Sequence, residues 1–445
     1  MKQIVILGGG MGGYYTAKGL EASLKPGEAE VTLVDMHSHL VYQPFLAEVA
    51  SGAIEPRHVQ VPLAQHLPKT NIVTAKVEGI RHADKEVDVR SKSGEQWAIP
   101  YDMLVVALGG VTRTFPTPGI ADQAIGLKTT QEATYIRNTF IRNFNEAASL
   151  PKGSRHRDRL LTFAVVGGGL SGTECFAEIV SLAHDLARKT HGVSFREVNL
   201  YLIEVMDKIM PEVPPERGQW VIDMLEDRGA HVLLKTSIED ATNGFLHLSD
   251  GQVIDCGLLV WTAGQIAAPV LKNTDLPLDS RGRLNCNEYL CVVNEDGSLV
   301  QDAWGVGDCT KAPDLSGGGF PDGSCAPTAQ HAVREAKVLA RNLVHALRGE
   351  ALEQYYHENA GMVAGLGVNR GLFANGNKKL IFTGWPAWMA HRGYHGLALP
   401  SWERKLRVFG DWTGAFVLGR DVTSVDDLED PKGFFQEFAV RPKQD

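Results

Sequence analysis

The residues best suited to chemistry are glycines at a fixed spacing, followed by an acidic residue. Gly8, Gly10 and Gly13 follow a short apolar run, and Asp35 ends the next apolar run. Glycines at this spacing allow a tight turn, the approach of a pyrophosphate to the backbone, and close packing of helix on strand. The helix N-terminus offers free N–H groups to phosphates, and the Asp35 carboxylate can accept both ribose hydroxyls. This segment is predicted to bind a dinucleotide.

A second set of residues repeats the spacing. Gly167, Gly169 and Gly172 follow another apolar run, and Glu204 closes the strand after that. A carboxylate in this position binds the adenosine 2′-hydroxyl of NADH and repels the extra phosphate of NADPH, whereas an NADPH site would favour arginine. The second site is predicted to bind NADH.

Two strand–helix–strand units must position these residues. In the first, a buried strand ends at Leu7, a helical pattern follows the glycines, and a second strand is predicted over Glu30 to Asp35. Residues 161–182 repeat the pattern, with another strand predicted over Asn199 to Glu204. Two such units predict an α/β fold with two Rossmann-like dinucleotide-binding domains and two nucleotide sites.

Three further segments connect or follow these units. The basic stretch Pro151 to Arg159 is interpreted as a surface loop that leads into the second unit. A strand is predicted over Ala303 to Val306, shortly before Asp308, and a helix over residues 327–348 with Thr328 as its cap. The last hundred residues contain four of the eight tryptophans, so they are interpreted as a separate C-terminal module.

The composition limits the classes of function. The chain of 445 residues has 44 Lys and Arg against 53 Asp and Glu, a formal charge of −9 that argues against a nucleic-acid binder. With 44% hydrophobic residues it can form a large core, and six cysteines do not make a disulfide scaffold, so a cytoplasmic protein is expected. The apolar runs fall short of about 20 residues, so no membrane span is predicted.

Two nucleotide folds with a Gly-Asp pair at Gly307 and Asp308 indicate a flavin enzyme with FAD in the first site and NADH in the second. In these features the chain resembles the flavoprotein reductases with two dinucleotide-binding folds, the glutathione-reductase-like class. The resemblance implies that the stretch from Tyr101 to Gly109, including Ala107, runs under the FAD and that Asp308 binds the ribityl chain. Leu108 departs from this class, which usually has threonine there.

The disulfide reductases of this class carry a C-x4-C pair just after the first acidic strand. Residues 42–49 contain no cysteine, so thiol relay chemistry at that position is excluded. Cys286 and Cys291 have the same spacing but fall in a predicted hairpin, where packing is favoured over a redox role.

The block from Tyr42 to Gly52 (YQPFLAEVASG) instead resembles the type II, non-proton-pumping NADH:quinone oxidoreductases. Three further matches support this family: Glu174 after the second glycine loop, the Ala329-Gln330-His331-Ala332 helix start, and Trp385-Pro386-Ala387-Trp388. Ala336 departs from the family, which has glycine there, and is expected to narrow the quinone approach. Within the glutathione-reductase-like fold, the resemblance implies a C-terminal amphipathic module as well.

The resemblance also implies a mechanism. Tightly but non-covalently bound FAD would take a hydride from NADH, the co-substrate, and reduce a menaquinone-type or ubiquinone-type acceptor by two electrons. The helix that begins at Ala329 would face the negative charge of the reduced flavin. Glu174 and Gln330 are the expected catalytic residues, although Glu174 could instead neutralise a nearby basic side chain. The expected quinone-site residues are Tyr42, Gln43 and Gln330, and the expected cofactor-binding residues are Gly8, Gly10, Gly13, Asp35, Gln43, Ala107, Gly109, Asp308, Ala329, Gly167, Gly169, Gly172, Glu204 and Gly264.

Two histidines have side chains that could ligate a metal. His331 and His391 each stand without a second ligand at metal spacing, so both are interpreted as hydrogen-bonded structural residues and no metal site is predicted.

The segment from Ser401 to Leu418 has the pattern of an amphipathic helix. At 100° per residue one face carries Trp402, Leu406, Phe409, Trp412, Thr413 and Phe416, and the opposite face carries Arg404, Arg407 and Asp411. This pattern predicts an interfacial helix on a membrane surface, which gives a peripheral enzyme on the inner face of the cell membrane. A helix packed on the flavin domain or on a second subunit is the alternative, and a homodimer is expected.

The chain is expected to divide into four segments. Residues 1–118 and 263–348 would form the FAD-binding domain, residues 119–262 the NADH-binding domain, and residues 349–445 a module for membrane association or dimerisation.

Three alternative functions stay open. The first is a soluble NADH-dependent flavoprotein reductase of a small biosynthetic quinone. The second is a sulfide:quinone oxidoreductase, for which only Cys175 and Cys325 could supply the required cysteine pair. The third is a nucleotide-sensing flavoprotein, which would not need Glu174 or Gln330.

Overall fold

The computed structural model describes residues 1–424. Its α-helices are α1 (Met11–Ser23), α2 (Leu46–Ala50), α3 (Leu63–His66), α4 (Ile120–Gln123), α5 (Thr130–Ser149), α6 (Arg155–Leu160), α7 (Leu170–Lys189), α8 (Pro215–Glu226), α9 (Ala329–Arg348), α10 (Trp385–Ala398) and α11 (Trp402–Leu418). The final part of the expected C-terminal module, residues 425–445, lies outside the described residues.

The strands are short and fall into several sheets. In chain order they are β1 (Lys2–Leu7), β2 (Ala29–Asp35), β3 (His39–Val41), β4 (Gln60–Pro62), β5 (Asn71–Thr74), β6 (Lys76–Arg81), β7 (Glu86–Arg90), β8 (Gln96–Pro100), β9 (Met103–Val106), β10 (Gly110–Thr112), β11 (Ala124–Ile125), β12 (Thr162–Val166), β13 (Asn199–Ile203), β14 (His231–Leu233), β15 (Ile238–Asp240), β16 (Phe245–Leu248), β17 (Val253–Asp255), β18 (Leu258–Trp261), β19 (Gln265–Ala267), β20 (Leu284–Asn285), β21 (Cys291–Val293), β22 (Leu299–Gly305), β23 (Thr310–Lys311), β24 (Gly361–Gly365), β25 (Gly371–Asn375) and β26 (Ile381–Thr383).

The first large sheet is built around β1. Its order is β21-β22-β9-β1-β2-β5, and all of its pairings are parallel except that of β21 with β22. Ile4 to Leu7 are buried, as expected for a strand covered on both faces of a parallel sheet. The sheet therefore combines strands from residues 2–106 with strands from residues 291–305.

The second large sheet is parallel throughout. Its order is β11-β18-β12-β13-β14, with β12 at the centre and buried along its whole length. Each central strand is followed by a glycine turn and a helix, α1 after β1 and α7 after β12. The prediction of an α/β fold with two Rossmann-like units is confirmed.

Helices bring the rest of the chain against these sheets. α9 packs along α1, while α2 packs between α5 and α7. α10 covers the small antiparallel sheet β24-β25-β26, and α11 contacts α10. Side chains of α2, α7, α10 and α11 meet in one place, where Glu48, Glu174, His391 and Trp412 contact one another in pairs.

The basic stretch before β12 is not the surface loop that the sequence predicted. Residues Arg155–Leu160 form α6, and the Ser154 hydroxyl accepts the N–H of Arg157 at its start. The Arg157 side chain is 1% exposed. It donates hydrogen bonds to the carbonyl oxygens of Ala147, Leu150 and Gly192 and pairs with Glu197, so its charge is satisfied inside the protein. Composition alone indicated a polar loop and could not reveal these tertiary partners.

Within residues 1–424, every helix is too short or too polar to cross a lipid bilayer.

Candidate active site

The first glycine loop has the shape of a phosphate cradle. Gly8 has a φ of 104°, a conformation that favours glycine, and a Cβ on Gly13 would collide with the Gly8 carbonyl oxygen. In contrast, a Cβ on Gly10 would meet no atom within 4 Å. Gly10 also caps α1 without a side-chain hydrogen bond. The loop is therefore tight where helix and strand pack and open where a pyrophosphate would approach.

Asp35 stands beside this loop, as predicted. Its Oδ2 accepts the N–H of Gly9 at 2.6 Å, and its Oδ1 accepts the N–H of His37 at 2.7 Å. The carboxylate is thereby oriented and keeps lone pairs for a ligand. A cavity of about 150 Å³ opens next to it, lined by Gly9, Gly10, Asp35, His37, His39, Leu40, Val41, Gln43, Lys128, Thr129 and Gln131.

The second glycine loop repeats the geometry. A Cβ on Gly172 would collide with the Gly167 carbonyl oxygen, while Gly169 faces open space. Glu204 follows β13 directly, and its Oε2 accepts the N–H of Gly168 at 2.5 Å. Its Oε1 accepts the N–H of Met206 at 2.8 Å. Both loops thus fit a dinucleotide for the same two reasons. Each leaves space for a ligand at its middle glycine, and each has an oriented carboxylate at the end of the strand that follows the helix.

Asp308 lies at the end of a hydrogen-bonded chain that the sequence did not predict. Its Oδ2 accepts a hydrogen bond from Gln265 Nε2 at 2.6 Å, and Gln265 Oε1 accepts one from Lys128 Nζ at 2.9 Å. Burial lowers the pKa of Lys128. Lys128 also lines the cavity beside Asp35. The neighbouring N–H of Gly307 donates to Glu335, whose pKa burial raises to about 7.

The other expected FAD residues lie around this point. Gly109 has a φ of 65° and open space at its Cβ position, so the backbone can approach a ligand there. Ala107 is buried, and its N–H donates to Leu7 in β1. Gly264 has a φ of 79°, and a Cβ there would contact the Arg113 side chain.

The start of α9 is capped as predicted. Thr328 Oγ1 accepts the N–H of His331, and Ala329 begins the helix. Gln330, however, is tied to the segment before β24. Its Oε1 accepts from His357 Nε2 at 2.7 Å and from the N–H of Ala360, and its Nε2 donates to Gly361.

Tyr42, Gln43 and Gln330 therefore have different partners. Gln43 Nε2 donates to the Lys128 carbonyl oxygen at 3.4 Å, and Tyr42 Oη lies 3.0 Å from His395 Nδ1. Within residues 1–424 no hydrogen bond joins any two of the three expected quinone-site residues. The Tyr42 side chain is largely buried, and burial raises its pKa.

Glu174 lies beside a histidine. Its Oε1 accepts the N–H of Gly365 at 2.9 Å and is 3.5 Å from His391 Nε2. The other ring nitrogen of His391 is 3.7 Å from Glu48 Oε1. Burial opposes charge on His391, but the carboxylates of Glu174, Glu48 and Glu178 outweigh it and raise the pKa of this imidazole. His391 is thus a buried histidine between carboxylates that favour its protonated form.

The sequence did not indicate a role for Glu48, because the partners of this side chain are remote in the chain. Its Oε2 accepts the indole N–H of Trp412 at 2.7 Å and lies 3.5 Å from Arg392. Burial raises the pKa of Glu48, and Arg392 acts against that rise. A nearby buried pair, Glu178 and Arg420, has a separation of 2.6 Å. A sequence feature that could have indicated this buried carboxylate is the position of an acidic residue inside the apolar run from Phe45 to Val49.

The predicted faces of α11 need one correction. Trp402, Leu406, Phe409 and Phe416 are 66% to 78% exposed, as expected for an unpacked apolar face. Trp412 is instead buried, because the helix turns its Val408 and Trp412 edge onto the protein. On the polar side, Asp411 Oδ2 lies 2.6 Å from His58 Nδ1. The helix therefore packs against the protein through Val408 and Trp412, and the apolar side chains beside this edge stay exposed.

The six cysteines are free and buried. Cys286 and Cys291 both lie in the core around the first sheet, in agreement with a packing role. Cys175 and Cys325 belong to different core clusters, and burial raises the pKa of Cys175 to about 12. These positions do not favour the cysteine pair that a sulfide:quinone oxidoreductase would need.

One group of side chains has metal-ligand chemistry. Donor atoms of Cys325, His331 and Glu335 lie within 4.8 Å of one another. His331 Nδ1 is 2.8 Å from the Tyr355 hydroxyl, and Glu335 accepts from Gly307, so existing hydrogen bonds account for both side chains.

Comparisons with known proteins give a consistent picture. A family model described as pyridine nucleotide-disulphide oxidoreductase matches residues 2–336. The chain is 28% identical over 432 residues to a probable NADH dehydrogenase of Dictyostelium discoideum, covering 95% of this chain and 91% of that one. It is 28% identical over 389 residues to a type II NADH:quinone oxidoreductase of Haemophilus influenzae, covering 82% and 85%. The solved structure of NDH2 from Plasmodium falciparum in complex with NADH has the same fold, with a TM-score of 0.86, 19% identity and coverage of 95% and 99%. The resemblance stated from the sequence is confirmed.

Proposed function

Because the chain belongs to the pyridine nucleotide-disulphide oxidoreductase family, we propose that it is an FAD-dependent type II NADH:quinone oxidoreductase that does not pump protons. The observation that carries the proposal is the pair of matched glycine loops. Each loop is open at its middle glycine, Gly10 or Gly169, and each has an oriented carboxylate, Asp35 or Glu204. Relatives named NADH dehydrogenase or type II NADH:quinone oxidoreductase support the choice of donor and acceptor.

FAD would occupy the first loop. Gly8, Gly10 and Gly13 would hold its pyrophosphate, Asp35 its adenosine ribose, and Asp308 its ribityl chain. Further contacts would come from Gln43, Ala107, Gly109, Gly264 and Ala329. When bound, FAD supplies the chemistry of accepting a hydride from NADH and passing two electrons to the quinone.

NADH would bind on the second loop. Gly167, Gly169 and Gly172 would hold its pyrophosphate, and Glu204 would accept its adenosine 2′-hydroxyl. A 2′-phosphate in this position would meet the charge of the Glu204 carboxylate, so NADH is favoured over NADPH.

The quinone would bind where Tyr42, Gln43 and Gln330 approach the flavin. The overall reaction converts NADH, one proton and quinone into NAD⁺ and quinol, so one proton must come from the protein or from solvent. Glu174 and His391 are 3.5 Å apart and suited to hold that proton. Gln330, which is fixed by His357, would position the acceptor.

The chain organisation and setting complete the proposal. Residues 1–118 and 263–348 would form the FAD-binding domain, residues 119–262 the NADH-binding domain, and residues 349–445 the membrane-association and dimerisation module. Support for the membrane contact comes from the exposed apolar face of α11. The enzyme would be a homodimer on the inner face of the cell membrane.

Anaerobic stopped-flow spectroscopy of the purified protein tests this function. Mixing with NADH should bleach the flavin absorbance, mixing with NADPH should do so more slowly, and a menaquinone or ubiquinone analogue should restore the colour. Slow bleaching by NADH would exclude NADH as the donor. Fast bleaching without reoxidation by any quinone would favour the nucleotide-sensing alternative. Recovery of an active enzyme that does not bind vesicles would favour the soluble reductase.

A further inference from the structure

Three side chains connect the expected quinone site to the buried carboxylates. Tyr42 Oη is 3.0 Å from His395 Nδ1, and the ring centroids of His395 and His391 are 4.8 Å apart. His391 in turn lies 3.5 Å from Glu174. Phe45 packs against all three rings. A continuous row of titratable groups thus runs from Tyr42 to Glu174.

The groups along this row differ in their affinity for protons. Burial, followed by the neighbouring His391, lowers the pKa of His395 to about 3, so this ring is neutral at physiological pH. His391 has a raised pKa, because carboxylates face it from α2 and α7. The charged and titratable groups around the two histidines are Glu48 on α2, Glu174 and Glu178 on α7, Arg392 and Tyr394 on α10, and Arg420 after α11.

We propose that Tyr42 and His395 form a proton relay that carries the proton of His391 to the quinone. This inference rests on the proposed function, because it requires a quinone carbonyl at the Tyr42 hydroxyl. The relay supplies the one proton that the reaction consumes beyond the hydride of NADH. It gives Tyr42 and His395 defined roles: Tyr42 is a catalytic residue that touches the substrate, and His395 passes a proton to it.

The proton moves to the quinone through four transfers. The Tyr42 O–H bond breaks as its proton bonds to the quinone oxygen that has gained negative charge. His395 then gives its Nδ1 proton to the Tyr42 oxygen, and His391 gives a proton to His395 Nε2, directly or through one water. Finally, a proton from solvent passes to His391 through Glu174, whose side chain is 12% exposed. Loss of the Nε2 proton of His395 to water and gain of one at Nδ1 restore its starting tautomer for the next turnover. The relay requires His395 in the Nδ1–H tautomer, with the Tyr42 oxygen as acceptor.

The test separates the two half-reactions in the intact FAD-loaded enzyme. In Tyr42→Phe, reduction of the flavin by NADH should keep its wild-type rate, whereas reoxidation by a water-soluble ubiquinone analogue should slow by about 10- to 100-fold. Tyr394→Phe is the matched control, because it removes a hydroxyl from an exposed ring that also contacts His395. This control should reoxidise at the wild-type rate.

Each other outcome has a defined meaning. Unchanged reoxidation in Tyr42→Phe would overturn the relay, and so would equal slowing in Tyr394→Phe or slowing of both half-reactions together. If the wild-type flavin is not reoxidised by quinone at all, the proposed function fails instead. A second measurement does not depend on turnover: ¹⁵N NMR of histidine-labelled protein should report the Nδ1–H tautomer for His395, assigned with His395→Asn. The Nε2–H tautomer would overturn the proposal.

Discussion

Trp412 donates its indole N–H to the buried carboxylate of Glu48 over 2.7 Å, and this bond joins α11 to α2. The same carboxylate lies 3.7 Å from His391. The helix with the exposed apolar face is therefore anchored directly beside the candidate catalytic histidine.

The anchor makes a prediction about stability. Trp412→Phe keeps an aromatic ring but leaves Glu48 without its indole donor. Leaving a buried hydrogen-bond acceptor without its donor costs about 1 to 3 kcal/mol, so the free energy of unfolding should fall by about that amount. Urea unfolding followed by far-UV circular dichroism measures it. Trp402→Phe, at a position 76% exposed, should leave the stability within about 0.5 kcal/mol of wild type. An equal loss in both variants would contradict the proposed anchor.

The two glycine loops predict a reciprocal pair of variants. Gly10→Ala and Gly169→Ala should both fold, because neither Cβ meets a protein atom within 4 Å. Each Cβ would instead occupy space needed by a pyrophosphate. Gly10→Ala should be purified with little bound FAD. The ratio of its absorbance at about 450 nm to that at about 280 nm should be close to the ratio for the protein without FAD. Gly169→Ala should retain its FAD and bind NADH more weakly, so each variant serves as the control for the other. FAD loss from both would show that the sites are not independent.

Much of this site could be predicted from the sequence, because the glycine loops are local. Gly8 to Asp35 and Gly167 to Glu204 carry their turn, helix and strand within one short segment each, so spacing alone indicates the geometry. The pairing of Glu48 with His391 could not be found this way, since it depends on how α2 and α10 pack. Periodicity gave the two faces of α11 but not the edge that carries Trp412 into the protein.

Cofactor preference should depend on Glu204. Its carboxylate is oriented by the N–H groups of Gly168 and Met206. In the proposed NADH site this carboxylate would face a 2′-phosphate. In Glu204→Arg, the ratio of kcat/KM for NADPH to that for NADH should rise by about tenfold, which corresponds to about 1.4 kcal/mol. Steady-state kinetics with a soluble quinone gives both values.

Glu239→Arg introduces the same charge change at an exposed position in β15 and should not alter the ratio. Unchanged selectivity in Glu204→Arg would remove this residue from the NADH site.

The charge on His391 predicts a pH dependence of stability. Because its pKa is raised in the folded protein, protonated His391 stabilises the fold below the ordinary histidine pKa of about 6.5, and this contribution is lost as the pH rises through the raised value. His391→Gln removes the effect. The difference in unfolding free energy between wild type and His391→Gln should therefore be largest near pH 6 and decrease at alkaline pH. His247→Gln, at an exposed position in β16, should show a small difference that does not change with pH. A difference for His391→Gln that grows with pH would contradict the raised pKa.

Membrane binding should depend on the exposed face of α11 and not on its packed edge. Phe409 and Phe416 are 66% and 78% exposed beside the packed edge that carries Trp412, so replacing both with glutamate should leave the fold intact and add charge where lipid would lie. Flotation with vesicles of phosphatidylcholine and phosphatidylglycerol should recover the wild-type protein in the vesicle fraction and leave the Phe409→Glu, Phe416→Glu variant below.

Leu299→Glu, at a position 58% exposed at the start of β22, is the control for an apolar side chain elsewhere and should float like wild type. Flotation of the double variant with the vesicles would assign the apolar face to a protein contact, because an interfacial helix cannot keep two carboxylates at the depth of the acyl chains without a large loss of binding energy.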